Sequence, residues 1–236
     1  MLVGLVVWLF PCRWECILAK SKQPDAESFK TIARSYLLGS KTVFSLPGIS
    51  LLLAGYALLI AFVLFERRLR ETAEAKTFSR GSFDRGSTVL IAAAFGSGLI
   101  LPLVLDGLGV GLFRINAAEG LSGVLVMTAG IGLRVWAART LGSFYTRTLL
   151  TTDRQTVVTN GPYARVRHPG YLGDVMLWSG FGILSSNWLL VVLYPLLFVS
   201  VYLYRISVEE KMLVGALGED YAAYRKRVRK LIPFVY

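Results

Sequence analysis

The chain is poor in charge, and what charge it has leans one way. Asp, Glu, Lys and Arg make up 17% of its 236 residues, with 26 Lys and Arg against 15 Asp and Glu. Soluble domains average roughly 25% charged residues, which argues against an ordinary soluble globule. The high apolar content excludes a disordered chain. Histidine occurs once, at His168, and cysteine twice, at Cys12 and Cys16. Two cysteines at that spacing cannot form a disulfide framework, and the four ligands of a structural zinc site are missing. No structural metal is expected. Also missing are a G-x-G-x-x-G turn after a strand, a P-loop and a serine nucleophile elbow, which removes the common soluble cofactor folds. No internal repeat recurs. The first ten residues carry no basic n-region, so no cleaved signal peptide is expected.

What fills the chain is apolar: 54% hydrophobic residues and a mean hydropathy of +0.55. These residues collect in blocks, and roughly 20 in a row suffice for a helix to cross a bilayer. Spans are expected at 42–65, 88–112 and 120–142. Two shorter stretches follow, Tyr171–Leu184 and Trp188–Tyr204. The uncharged Ser185-Ser186-Asn187 between them suits a tight helical hairpin with its tip at the interface; one long kinked segment is the other reading. After Arg205, the positions Leu213, Leu217, Tyr221 and Tyr224 recur at helical spacing and predict an amphipathic helix. The expected fold is all-α: a polytopic transmembrane helical bundle of about five spans, the last two a short hairpin, plus a C-terminal amphipathic cytosolic helix. It divides into an interfacial or short membrane segment (1–41), two helices with a basic linker (42–119) and a core (120–236).

The basic residues now acquire a pattern. Six Lys and Arg lie in 66–87, six in 134–170 and seven in 205–236, against one in 113–119 and none in 185–187. Five spans put the three basic segments on one side, which the positive-inside rule makes cytosolic. There they also meet anionic lipid headgroups. Residues 1–41, with six Lys and Arg, fall on the opposite side and conflict with this orientation; the three later segments outweigh them. Topology and lipid therefore account for the net charge of +11 without nucleic acid as a partner.

Chemically capable residues gather beside the membrane in 154–174 and in 205–210 (R-I-S-V-E-E). Arg205 and Glu209 are four apart and share a helix face. They read either as an ion pair marking the membrane boundary or as a site carrying both signs of charge, because charge there is costly unless paired or facing a cavity. A carboxylate could hold a cationic or hydroxyl-rich cofactor, and a guanidinium a substrate carboxylate or phosphate. Pro169 pushes His168 out of helical geometry and onto a loop at the mouth of the next helix, whose free N–H groups suit an anion. A lone histidine is more often structural, but Tyr163, Arg165, Arg167 and Tyr171 surround this one in sequence. Gly161, Gly170 and Gly173 would let a ligand approach the backbone.

The stretch V-T-N-G-P-Y-A-R-V-R-H-P-G-Y-L-G (158–173), then R-I-S-V-E-E and G-E-D-Y-A-A-Y-R-K-R-V (218–228), resembles the isoprenylcysteine carboxyl methyltransferase family of integral membrane methyltransferases. That family is related to phospholipid N-methyltransferases and, more distantly, to membrane sterol reductases that use NADPH. The resemblance covers roughly residues 120–236. It implies S-adenosyl-L-methionine as cofactor, held at the cytosolic end of the last helices in a prokaryotic cell membrane or endoplasmic reticulum. Gln155, Thr156, Val157, Val158, Tyr163, His168, Pro169, Gly170, Tyr171 and Glu209 would line the cofactor pocket. Arg205 would orient the carboxylate of a lipophilic or prenylated substrate, with Glu210 as the second catalytic residue. An amine acceptor would instead want Glu210 or Asp174 as a base. The alternatives are an NADPH-dependent lipid reductase or a phospholipid N-methyltransferase. Residues 1–41 and the first two spans match nothing in this family pattern, which leaves the acceptor unnamed.

Overall fold

In the computed structural model, residues 46–71, 84–113, 115–142 and 156–231 are described; the expected N-terminal segment 1–41 and Gln155 lie outside them. Among the described residues five helices run in order: α1 (Leu46–Glu71), α2 (Ser87–Leu108), α3 (Ala117–Leu141), α4 (Pro169–Leu184) and α5 (Trp188–Arg227). A 3-10 turn, Gly161–Ala164, precedes α4, and no strands occur among the described residues. Four of the helices, all but α4, are long and apolar enough to cross a membrane. Leu53, Ile60, Ile100, Leu103, Leu121, Leu125 and Leu196 stay more than half exposed on them. Such an apolar outer surface is what lipid requires. The protein is an integral membrane, all-helical bundle.

Local chemistry explains most boundaries. Asn116 caps α3 in a capping box: its side chain accepts from Glu119 N at 2.9 Å, and Glu119 Oε2 accepts from Asn116 N at 2.8 Å. Gly109, at φ 65°, closes α2, where the left-handed backbone is cheap only for glycine. Pro169 starts α4, and His168 before it takes φ −124° and ψ 59°, outside helical geometry as the sequence requires. The hairpin reading holds: α4 and α5 are separate helices joined through Ser185–Asn187. Asn187 is fully buried, accepting from Leu189 N at 3.1 Å and donating Nδ2–H to Val110 O at 2.8 Å. The α2–α3 turn covers it, with Trp188 N donating to Gly111 O at 3.0 Å.

Two expected boundaries shift. The first span does not stop at Glu66: α1 continues to Glu71, because Glu66 is 2% exposed and turned inward. The helix expected after Arg205 begins later: α5, Trp188–Arg227, continues unbroken to 217, and non-helical Gly218 (φ 54°, ψ −130°) separates it from a second helical stretch at 219–227. Tyr221 and Tyr224, beyond that break, are buried as their spacing predicts.

The core is an aromatic stack. Trp178 lies parallel to Phe198 with centroids 4.6 Å apart, and meets Phe181 and Tyr194 edge-on. Beside it α3 and α4 touch backbone to backbone. A Cβ on Gly173 would sit 2.6 Å from Gly130 O, and one on Gly130 2.5 Å from Gly173 O. Small residues permit this approach in lipid. Gly173, expected to admit a ligand, serves helix packing instead. Gly173→Val should therefore push the helices apart and cost about 1–3 kcal/mol or more through overpacking. The check is detergent-solubilised yield and Tm against wild type.

The helices alternate end for end. At one end Gly120 packs on Leu51, and Asn187 meets the 110–113 turn. At the other end α1, α3, α4 and α5 bring Glu66, Arg134, Gly170 and Arg205 towards the start of α2.

Candidate active site

Arg205 lies on α5, 3% exposed, and its partners come from far along the chain. Its Nη1 donates to Asp84 Oδ1 at 2.7 Å, to Ser87 Oγ at 2.6 Å and to Thr88 Oγ1 at 3.1 Å. Its Nε donates to the Tyr171 hydroxyl at 3.3 Å. That hydroxyl donates in turn to Glu209 Oε2 at 2.7 Å. Tyr171 is thus a bridge between the arginine and the carboxylate one turn further along α5. Tyr171 is itself sandwiched, stacked on His168 (5.7 Å, 7° between planes) and on Tyr202 (4.7 Å, 21°).

Asp84 stands just before α2 and is 4% exposed. Burial alone would push its carboxyl up; the hydrogen bonds from Ser87 and Thr88 and the charge of Arg205 outweigh this and hold it below the usual carboxylate range. Ser87 Oγ–H donates to Asp84 Oδ1 at 2.7 Å, and Thr88 donates through Oγ1 (2.9 Å) and N (3.2 Å). One acid thus caps the first turn of α2 and neutralises Arg205.

Glu209 and its neighbour face different surroundings. The Glu209 side chain keeps 23% of its surface and lies 3.8 Å from His168 Nδ1. Glu210 is nearly covered and held on several sides: Arg167 Nε at 2.8 Å, His168 Nε2 at 3.3 Å and Arg225 Nε at 3.5 Å. Arg167 also donates through Nη1 to Arg225 O at 3.1 Å and to Val228 O. The C-terminal segment then runs beside the loop as a single parallel bridge between Val166 and Arg229, with Arg167 N donating to Arg229 O at 2.8 Å and His168 N to Lys230 O at 3.2 Å. Tyr224 completes this clasp by donating to Tyr163 O at 2.7 Å.

Of the residues expected at the site, Tyr163, His168, Pro169, Gly170, Tyr171, Arg205, Glu209 and Glu210 gather around this loop and the neighbouring turn of α5. Thr156, Val157 and Val158 are described on the approach to the 3-10 turn, exposed or half-buried. Tyr163 is buried, with its carbonyl taken by Tyr224. Asp84, Ser87 and Thr88 were not anticipated. Neither was an ionic cluster beneath the site, in which Arg134 donates to Glu66 Oε1 (Nη2, 2.6 Å) and to Asp174 Oδ2 (Nη1, 2.7 Å), and Tyr202 donates to the same Asp174 oxygen at 2.5 Å. A signal for both existed: ionisable residues at the edge of apolar spans need partners inside the bundle.

Residues 123–215 match the family model described as isoprenylcysteine carboxyl methyltransferase. The chain is similar to the protein-S-isoprenylcysteine O-methyltransferase of Mus musculus, 35% identical over 116 residues, covering 48% of this chain and 41% of the mouse protein. It is similar also to that of Schizosaccharomyces pombe, 38% identical over 79 residues, 34% of each chain. The matched part thus spans less than half the length of these curated relatives. The solved structure of a eukaryotic intramembrane Ras methyltransferase, an isoprenylcysteine carboxyl methyltransferase, superposes with a TM-score of 0.60 at 25% identity, covering 80% of this chain and 68% of that one. Through residues 123–215, the chain is thus similar to the isoprenylcysteine carboxyl methyltransferase family.

Proposed function

We propose that the protein is an S-adenosylmethionine-dependent methyltransferase that esterifies the carboxylate of an isoprenylcysteine or similar lipophilic substrate. The observation that carries this reading is the Arg205–Tyr171–Glu209 relay at the mouth of α4. It sets a guanidinium and a partly exposed carboxylate side by side, linked but not collapsed onto each other. A cationic, hydroxyl-rich cofactor fits the second group and an anionic acceptor the first.

The residues present fit S-adenosylmethionine. The Glu209 side chain keeps 23% of its surface, and a Cβ on Gly170 would meet nothing nearer than Arg134 Nη1 at 3.6 Å, whose N–H also donates to Gly170 O at 3.3 Å. When bound, the cofactor supplies an electrophilic methyl group whose carbon–sulfur bond breaks, its electron pair going to sulfur, as the acceptor's C–O bond forms, with no proton transferred. The chain's part is then positioning and water exclusion. Arg205 orients the acceptor carboxylate and Glu209 binds the cofactor. Glu210 acts through Arg167 and His168, holding the loop to α5. A carboxylate acceptor also suits the engagement of both candidate bases: Glu210 is held by Arg167 and His168, and Asp174 by Arg134 and Tyr202. The basic segments at this end support a site on the cytosolic face, and the apolar outer surface suits a lipophilic chain arriving from the bilayer.

The test is titration of purified protein with S-adenosylhomocysteine, with NADPH as the comparison, followed by methyl transfer to a prenylcysteine acceptor. Glu209→Gln keeps shape and loses charge. It should weaken S-adenosylhomocysteine binding about tenfold, the loss expected for one charge-assisted hydrogen bond. Binding of NADPH in place of S-adenosylhomocysteine would refute the cofactor assignment.

A further inference from the structure

We propose that Asp84 is a positioning residue that shares Arg205 with the substrate's carboxylate and thereby limits how tightly the arginine grips it. The inference rests on the carboxyl-methylation reading. Asp84 and Arg205 are 4% and 3% exposed and meet at 2.7 Å, so their pairing is scarcely diluted by water. Two hydroxyls, of Ser87 and Thr88, pin the carboxylate while also accepting from Arg205 Nη1.

The chemistry gives this arrangement a purpose. A carboxylate loses its negative charge as it becomes an ester. An arginine with no other counter-charge would hold the starting carboxylate more strongly than the transition state, lowering KM and kcat together. With Asp84 on Nη1, part of that field is already spent. The acid stands just before α2, so a segment outside the matched residues 123–215 reaches the proposed reacting end.

Asp84→Asn preserves an acceptor for Ser87 and Thr88 and removes only the charge. Methyl transfer from S-adenosylmethionine to a prenylcysteine acceptor should then show KM for the acceptor lowered about threefold and kcat lowered about tenfold, the pattern of lost ground-state relief. S-adenosylhomocysteine affinity should stay within about twofold, because Glu209 is untouched. In an Arg205→Ala background Asp84→Asn should change turnover less than about twofold, since its partner is gone. Unchanged kinetics would overturn the proposal. So would a raised KM accompanied by weaker S-adenosylhomocysteine binding, the mark of a merely structural residue. A wild-type protein that binds S-adenosylhomocysteine yet methylates no prenylcysteine carboxylate would instead fail the functional reading, and this inference with it.

Discussion

Arg205→Ala is expected to lower methyl transfer by roughly a hundredfold or more, the scale of losing a group that orients a reactant, while S-adenosylhomocysteine still binds. Arg205 reaches Asp84 on one side and the Tyr171 hydroxyl on the other. Its removal therefore takes away the proposed carboxylate hold and frees Tyr171 at one end. Tyr171 keeps its bond to Glu209 and its stacking on His168 and Tyr202, so the cofactor side should survive. Arg205→Lys retains the charge as a single point and loses the planar fork, and should fall between the two. Turnover per mole of S-adenosylhomocysteine-binding protein is the quantity to compare. Equal turnover of wild type and Arg205→Ala would refute the assignment of Arg205.

The largest effect on stability is expected from Arg134→Leu. Glu66 and Asp174, 2% and 1% exposed, both receive this guanidinium, and they come from α1 and α4 while Arg134 comes from α3. Without it two buried carboxylates lose the guanidinium they share. Breaking a buried ionic cluster in this way costs about 3–5 kcal/mol, a fall in Tm on the order of 10 °C. Neutralising the acids as well, in Arg134→Leu with Glu66→Gln and Asp174→Asn, should restore part of the loss, since the penalty lies in the uncompensated charges. A thermal melt in detergent distinguishes these outcomes. An unchanged Tm in Arg134→Leu would show that the cluster holds nothing together.

Much of the fold was legible because hydropathy writes spans directly into sequence. The hairpin at Ser185–Asn187 and the non-helical His168 before Pro169 followed from local rules. Glu66 misled because a charge after an apolar run ordinarily marks the membrane surface; here it is paired 68 positions away with Arg134. Gly173 misled for a related reason: a glycine that faces a ligand and one that faces another backbone look alike until the neighbour is known. At the site, the loop residues and the Arg205–Glu209 face were readable from spacing and from family resemblance. Asp84 was not, since only the folded chain brings it 121 positions closer to Arg205. Periodicity reports which face is buried, not which partner waits there.

The clasp between residues 166–168 and 229–230 has a consequence in time. Arg229 and Lys230 supply the carbonyls that accept from Arg167 and His168. During synthesis the loop must therefore enter the membrane surface and wait, unlatched, until some sixty further residues have been made and inserted. A nascent chain stalled before Arg229 would carry α1 to α5 and most of the chemistry, yet no finished site. The site would be completed only as residues 229–230 close over the loop.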